Sequence, residues 1–152
     1  MQSPYEHTQV GYVILGAALG AGLVGLLPAV LVVESPGPSL WVGGGILGAV
    51  AILFSSLTVR VDDETLVWYF GPHFWTNTLP LSRIERVEAV RNSPWHGWGI
   101  RMLSDGWLYN VSGLDAVEIE TSDGDVVRLG TDEPNQLSSV LVERAGGTSM
   151  EE

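Results

Sequence analysis

Val10–Val33, VGYVILGAALGAGLVGLLPAVLVV, and Leu40–Val59, LWVGGGILGAVAILFSSLTV, are two apolar runs joined by Glu34-Ser-Pro-Gly-Pro-Ser39. Residues 10–59 hold one charged side chain, Glu34, whereas residues 60–152 hold 16 acidic residues and all seven arginines. The two halves are built for different solvents. A helix rises about 1.5 Å per residue, so the first run is long enough to cross a hydrocarbon core of about 30 Å. Its thirteen Leu, Ile and Val residues carry no opposing charge. Each contributes about −0.3 to −0.6 kcal/mol near the bilayer centre, where one Asp or Arg costs about 2.5–3.5 kcal/mol. The competing reading is a pair of core helices in a water-soluble protein. The remainder of the chain is too small to bury two helices that are apolar all round.

The reading is therefore an antiparallel two-helix transmembrane hairpin: a tail at 1–9, transmembrane helix 1 at 10–33, an external loop at 34–39 and transmembrane helix 2 at 40–59. The flank before residue 10 carries no Lys or Arg, and the first run exceeds a usual signal-peptide core, so the first helix is expected to be retained. The loop has no arginine and Arg60 directly follows the second run. The positive-inside rule then puts the loop outside and the tail and the rest of the chain in the cytoplasm, in a multi-pass cell-membrane protein. Tyr12 and Trp41 suit opposite interfaces. Pro28 is expected to kink the first helix. Gly16 and Gly20, then Gly44 and Gly48, repeat at four-residue spacing, which permits close helix packing, either between these two helices or with a second copy.

Beyond residue 57 the period changes. Leu57, Val59 and Val61 alternate with Thr58 and Arg60, a strand pattern that overlaps the end of the second apolar run. Short strands follow at Thr65–Phe70, Phe74–Leu79, Arg83–Arg91, Gly99–Leu103, Trp107–Val111, Ala116–Thr121 and Asp125–Leu129, with Asp123-Gly124 suited to a type I′ turn. Asp132 is a candidate cap for a terminal helix carrying Leu137, Val140 and Leu141, and residues 146–152 read as a frayed tail. A soluble domain at 57–145, with antiparallel strands closed by one helix, satisfies this order.

Gly97-Trp-Gly-Ile-Arg101, Gly106-Trp-Leu-Tyr-Asn-Val-Ser-Gly113, Ala116-Val-Glu-Ile-Glu120 and Val127-Arg-Leu-Gly-Thr-Asp132, placed after two apolar helices, resemble the prokaryotic membrane-anchored PH-like domain proteins. The resemblance covers nearly the whole chain. It implies an α+β membrane protein whose PH-like sandwich, or partly open barrel, consists of two near-orthogonal antiparallel sheets capped by a C-terminal helix. It implies no established activity. Eukaryotic PH domains that bind phosphoinositides do so with basic residues at the first hairpin. Here the equivalent turn is Asp62-Asp63-Glu64, whose charge opposes that mode.

Composition removes further classes. A net charge of −11 argues against nucleic acid. With no cysteine, thiolate metal sites and disulfides are excluded. His7, His73 and His96 have no metal-ligand spacing, and no Gly-x-Ser-x-Gly frame holds a nucleophile. No cofactor, metal or catalytic residue is expected. Five tryptophans fall between residues 68 and 107. Trp75, Trp95 and Trp98, flanked by turn residues, are candidates for a partner surface or the membrane interface, with Arg101 beside them. The expected function is a non-catalytic, membrane-tethered interaction module that binds a protein or peptide partner at the cytoplasmic face. The alternative is an accessory subunit packed through its helices, with the glycines at 16, 20, 44 and 48, into a membrane enzyme or transporter complex.

Overall fold

The computed structural model describes residues 4–32, 37–146 and 148–149. Of the expected loop at 34–39, residues 34–36 lie outside the described residues and Pro38 and Ser39 begin a helix; of the expected frayed tail at 146–152, residues 147 and 150–152 lie outside and Thr148–Ser149 form a strand. The chain is α+β, with two sheets, a helical excursion and a closing helix.

The first sheet has the order β1 (Tyr5–Val10), β2 (Ser56–Val61), β3 (Thr65–Phe70), β4 (Phe74–Pro80), all antiparallel. Strand β1 was expected as a tail. It pairs with β2 from Tyr5↔Val61 to Val10↔Ser56, and its inward positions, Tyr5, His7 and Gln9, are polar or amphipathic, so no hydrophobic period announces it. The alternation read at Leu57, Val59 and Val61 is observed. All three are buried, as are Leu66, Trp68 and Phe70 on β3.

Between β1 and β2 the chain leaves the sheet and returns. Helix α1 (Tyr12–Ala21) passes through one wide π turn (Gly22–Leu26) into α2 (Leu27–Val32), and α3 (Pro38–Leu53) comes back. The π turn sits where Pro28 lacks the N–H that would bond the Val24 carbonyl; the Leu27 N–H instead reaches back to Gly22. Tyr12–Val32 is long and apolar enough to cross a membrane, with none of its residues buried. Helix α3 is apolar but shorter than the expected span at 40–59. It stops at Leu53 because Ser55 hydroxyl bonds the Ile52 carbonyl and Leu57–Val59 are committed to the sheet. The two helices run antiparallel. The Gly11 N–H donates to Ser55 O at 2.7 Å at one end, and Gly44 faces Leu26 further out.

The second sheet has the order β10 (Thr148–Ser149), β5 (Ile84–Arg91), β8 (Asp115–Thr121), β9 (Val126–Gly130), β7 (Gly106–Asn110), β6 (Gly99–Met102). Two pairs, β7 with β9 and β10 with β5, are parallel, where antiparallel pairing throughout was expected. The β8–β9 turn is also not type I′: Gly124 alone takes a positive φ, +85°, while Asp123 does not. Val87, Val117, Ile119 and Leu129 face the first sheet's core residues. Helix α4 (Pro134–Ala145) closes the core with Leu137 and Leu141. Its cap position is Glu133, not Asp132, and the Asp132 carboxylate instead meets His7 at 2.5 Å.

Candidate functional site: an aromatic rim where the helices leave the sheet

One residue, Gly11, separates β1 from α1, and two, Phe54 and Ser55, separate α3 from β2. The helical excursion therefore joins the first sheet without a linker, and its base is a structured surface. The Phe54 ring packs against Phe70 and Phe74 at 5.2 and 5.8 Å. The β3–β4 turn lies against the end of α3. A Cβ on Gly71 would sit 2.7 Å from Leu53 O and 2.8 Å from Ile52 O, and its φ is +44°. Just beyond, His73 and Trp75 occupy the left-handed region at φ +59° and +53°. Such conformations cost of order 1–3 kcal/mol for side chains of this kind. His73 stacks on Tyr69 at 4.0 Å, while the Trp75 side chain is 56% exposed.

The loop after β5 reaches the same end from the second sheet. Asn92 N–H donates to Leu114 O, and Ser93 hydroxyl accepts from Trp95 N–H at the start of a short 3₁₀ turn, Pro94–His96. The Trp98 indole donates to Gly113 O at 3.3 Å, and Gly113 lies beside the Gln9 amide, two residues before Gly11. These contacts place Trp95 and Trp98 near the β1 edge of the helix base. Trp75 stands on β4, the other edge. At a strand spacing of about 4.8 Å, the two edges are roughly 14 Å apart. Trp95 is 93% exposed. By contrast Trp68 is core, edge-on to Tyr109 at 5.4 Å.

Arg101 belongs to the same loop cluster. Its guanidinium lies under Gly97, where a Cβ would come within 3.1 Å, and Gly97 holds φ +67°. Arg60, Arg83, Arg86, Arg91 and Arg128 are each ion-paired, to Asp62 and Glu6, Asp123, Glu88, Asp115 and Glu118 respectively. Arg144 donates to Val61 O. Among the described residues, Arg101 has no carboxylate within ion-pair distance. Gln9 and Asn92, both buried, and the Nδ1 of His96 carry polar atoms that no protein group satisfies.

The structure thus brings Trp95, Trp98 and Arg101 together and sets Trp75 apart on the same end. Of the four helix glycines, Gly44 is in the hairpin contact, whereas a Cβ on Gly16, Gly20 or Gly48 would meet nothing within 4 Å. A feature that the sequence reading missed is the clamp of His7 between Asp132 and Glu133, at 2.5 and 3.3 Å, which ties β1 to the start of α4. Nearby, burial and then the Glu133 carboxylate push the Tyr5 hydroxyl up to about 12. Burial also raises Tyr109. No group of three His, Cys, Asp or Glu among the described residues has metal-holding geometry.

No family model, curated protein or solved structure matches the chain.

Proposed function

We infer that the chain is a membrane-tethered, non-catalytic interaction module: both helices cross the bilayer as a hairpin, and a PH-like domain at the cytoplasmic face binds a protein or peptide segment. One observation carries this reading. The residues before and after the helical excursion are hydrogen-bonded neighbours, Val10 opposite Ser56. A chain that crosses once with Tyr12–Val32 must cross back to reach β2, so the shorter α3 is the return span. Its 16 residues reach about 24 Å, short of a typical core, and local bilayer thinning accommodates such a mismatch. The helices' large apolar side chains, Leu19, Leu23, Val24, Leu31, Val42 and Ile46 among them, are exposed, which in water would be a severe penalty.

The PH-like reading rests on topology. Without the helical excursion, the β6–β7 hairpin and the two-residue β10, what remains is a four-stranded antiparallel sheet, an antiparallel β5-β8-β9 sheet and a closing helix. That remainder supports the PH-like reading, and the parallel β7–β9 and β10–β5 pairs are additions to it.

The partner surface is the β6 edge. Strand β6 is the last in its sheet. The Leu103 N–H donates to Gly106 O, and antiparallel alternation then turns the N–H groups of Ile100 and Met102 outward. Met102 is 74% exposed and Trp107 lies beside it. An extended segment adding to this edge gains main-chain bonds. A photocrosslinking residue at Met102, in native membranes, tests the reading: a crosslinked product is expected, and Met102→Pro is expected to weaken capture of that partner several-fold while the domain stays folded. Absence of any crosslink at 102 would remove the module reading. A second reading, an accessory subunit packed through its helices, is supported by the open surfaces at Gly16, Gly20 and Gly48; crosslinks at position 20 rather than 102 would favour it.

A further inference from the structure

The domain joins its helices through one and two residues, so a bilayer around the helices would meet the helix-proximal end of both sheets directly. That end differs in chemistry from its opposite. The acidic turns Asp62–Glu64, Asp105 and Asp123–Asp125 all lie at the far end, as the strand registers require. Toward the helices, Asp115 is paired with Arg91, and Asp132 and Glu133 with His7. This end also exposes Trp75, Trp95 and Trp98, with Tyr12 at the foot of α1, and Arg101, for whose guanidinium no carboxylate among the described residues stands within ion-pair distance.

We propose that this end is a lipid-docking surface: Trp95 and Trp98 on one edge and Trp75 on the other seat in the bilayer interface, and Arg101, in the loop cluster of Trp95 and Trp98, binds a phospholipid phosphate. Indole rings gain most at the headgroup level, where an apolar body and one N–H donor are both served. A guanidinium fork matches two phosphate oxygens, and phosphate is the anion this depth offers. A net-negative domain is held against the bilayer in this way because its acidic turns, Asp62–Glu64, Asp105 and Asp123–Asp125, lie at the end away from the surface. The strained backbone at Trp75 fits the same role: an exposed indole that contributes little to the core is nonetheless held in the left-handed region.

The proposal rests on the membrane tether inferred above and is separable from the peptide edge at β6. The cysteine-free chain allows single nitroxide labels at Pro94, Thr76, Asp63 and Ile46, with full-length protein in vesicles of phosphatidylethanolamine and phosphatidylglycerol. Labels at 94 and 76 are expected to collide more with lipid-soluble oxygen than with an aqueous nickel chelate. The label at 63 is expected to do the reverse, and that at 46 to lie deepest. Arg101→Glu, and separately Trp95→Ser, are expected to shift the label at 94 towards the value at 63, and Arg101→Lys to leave it in place. A label at 46 in hydrocarbon with labels at 94 and 76 as aqueous as that at 63 overturns the docking surface alone. An aqueous label at 46 overturns the tether, and the docking surface with it.

Discussion

Gly71 is the residue on which the junction between helices and sheet depends most directly. Its φ of +44° disfavours any side chain, and two carbonyl oxygens of α3 occupy the place a Cβ would take. Gly71→Ala is expected to cost about 2 kcal/mol or more, read as a lowered unfolding midpoint of the purified chain in detergent. Trp75 is the converse case. Trp75→Gly relieves a left-handed φ and removes little core contact, so stability is expected to hold or rise by up to about 1 kcal/mol. A large loss in the same unfolding measurement would mean that the indole is structural. The Tyr5 hydroxyl titrates near 12 in the folded chain against an ordinary value of 10. Its raised value contributes stability that is fully present below pH 10 and is lost as pH rises towards 12. Unfolding midpoints are expected to fall across that window, and less steeply in Tyr5→Phe, with Tyr109 supplying a remaining slope of the same sign.

At the scale of elements, β1 is held by its ladder to β2, by a Thr8–Thr58 hydroxyl bond at 2.8 Å, and by the His7 clamp on Asp132 and Glu133. His7→Ala is expected to lower stability by only about 0.5–1 kcal/mol, because the carboxylates are well exposed, yet to raise amide exchange selectively in Tyr5–Val10. Uniform exchange across both sheets would remove the clamp from the account. The legibility of elements follows from how each earns its place. Strand β2 was readable because Leu57, Val59 and Val61 alternate with Thr58 and Arg60, and β3 because an apolar and aromatic run is bounded by Asp62-Asp63-Glu64 and Gly71-Pro72. Strand β1 was not, since Gln9 is buried as a polar side chain and His7 is half-buried against acids. The parallel β7–β9 pairing was also hidden: period two reveals a strand but not its neighbour, and Gly106 permits the close approach to Val126 that joins them. The second helix was read too long because Leu57–Val59 is as apolar as a helix end, and only pairing with β3 distinguishes it. At the site, turn residues marked the loops of Trp75, Trp95 and Trp98. Nothing local showed that Arg101 folds beneath Gly97, which is a matter of tertiary placement.

For the whole molecule, the insertion of the helices between two bonded strands is the fact from which the rest follows. In the membrane reading proposed above it makes the number of crossings even and sets the domain against the surface without a linker; in the fold itself it puts the aromatic end towards the helices and the acidic turns away. Membrane-impermeant maleimide labelling of Ser39→Cys, Ile46→Cys and Asp63→Cys, in intact and lysed cells, tests this most directly. Residue 39 is expected to react in intact cells, residue 63 only after lysis, and residue 46 in neither. Reaction of residues 39 and 63 under the same condition, with residue 46 also reactive, would contradict the two-crossing hairpin.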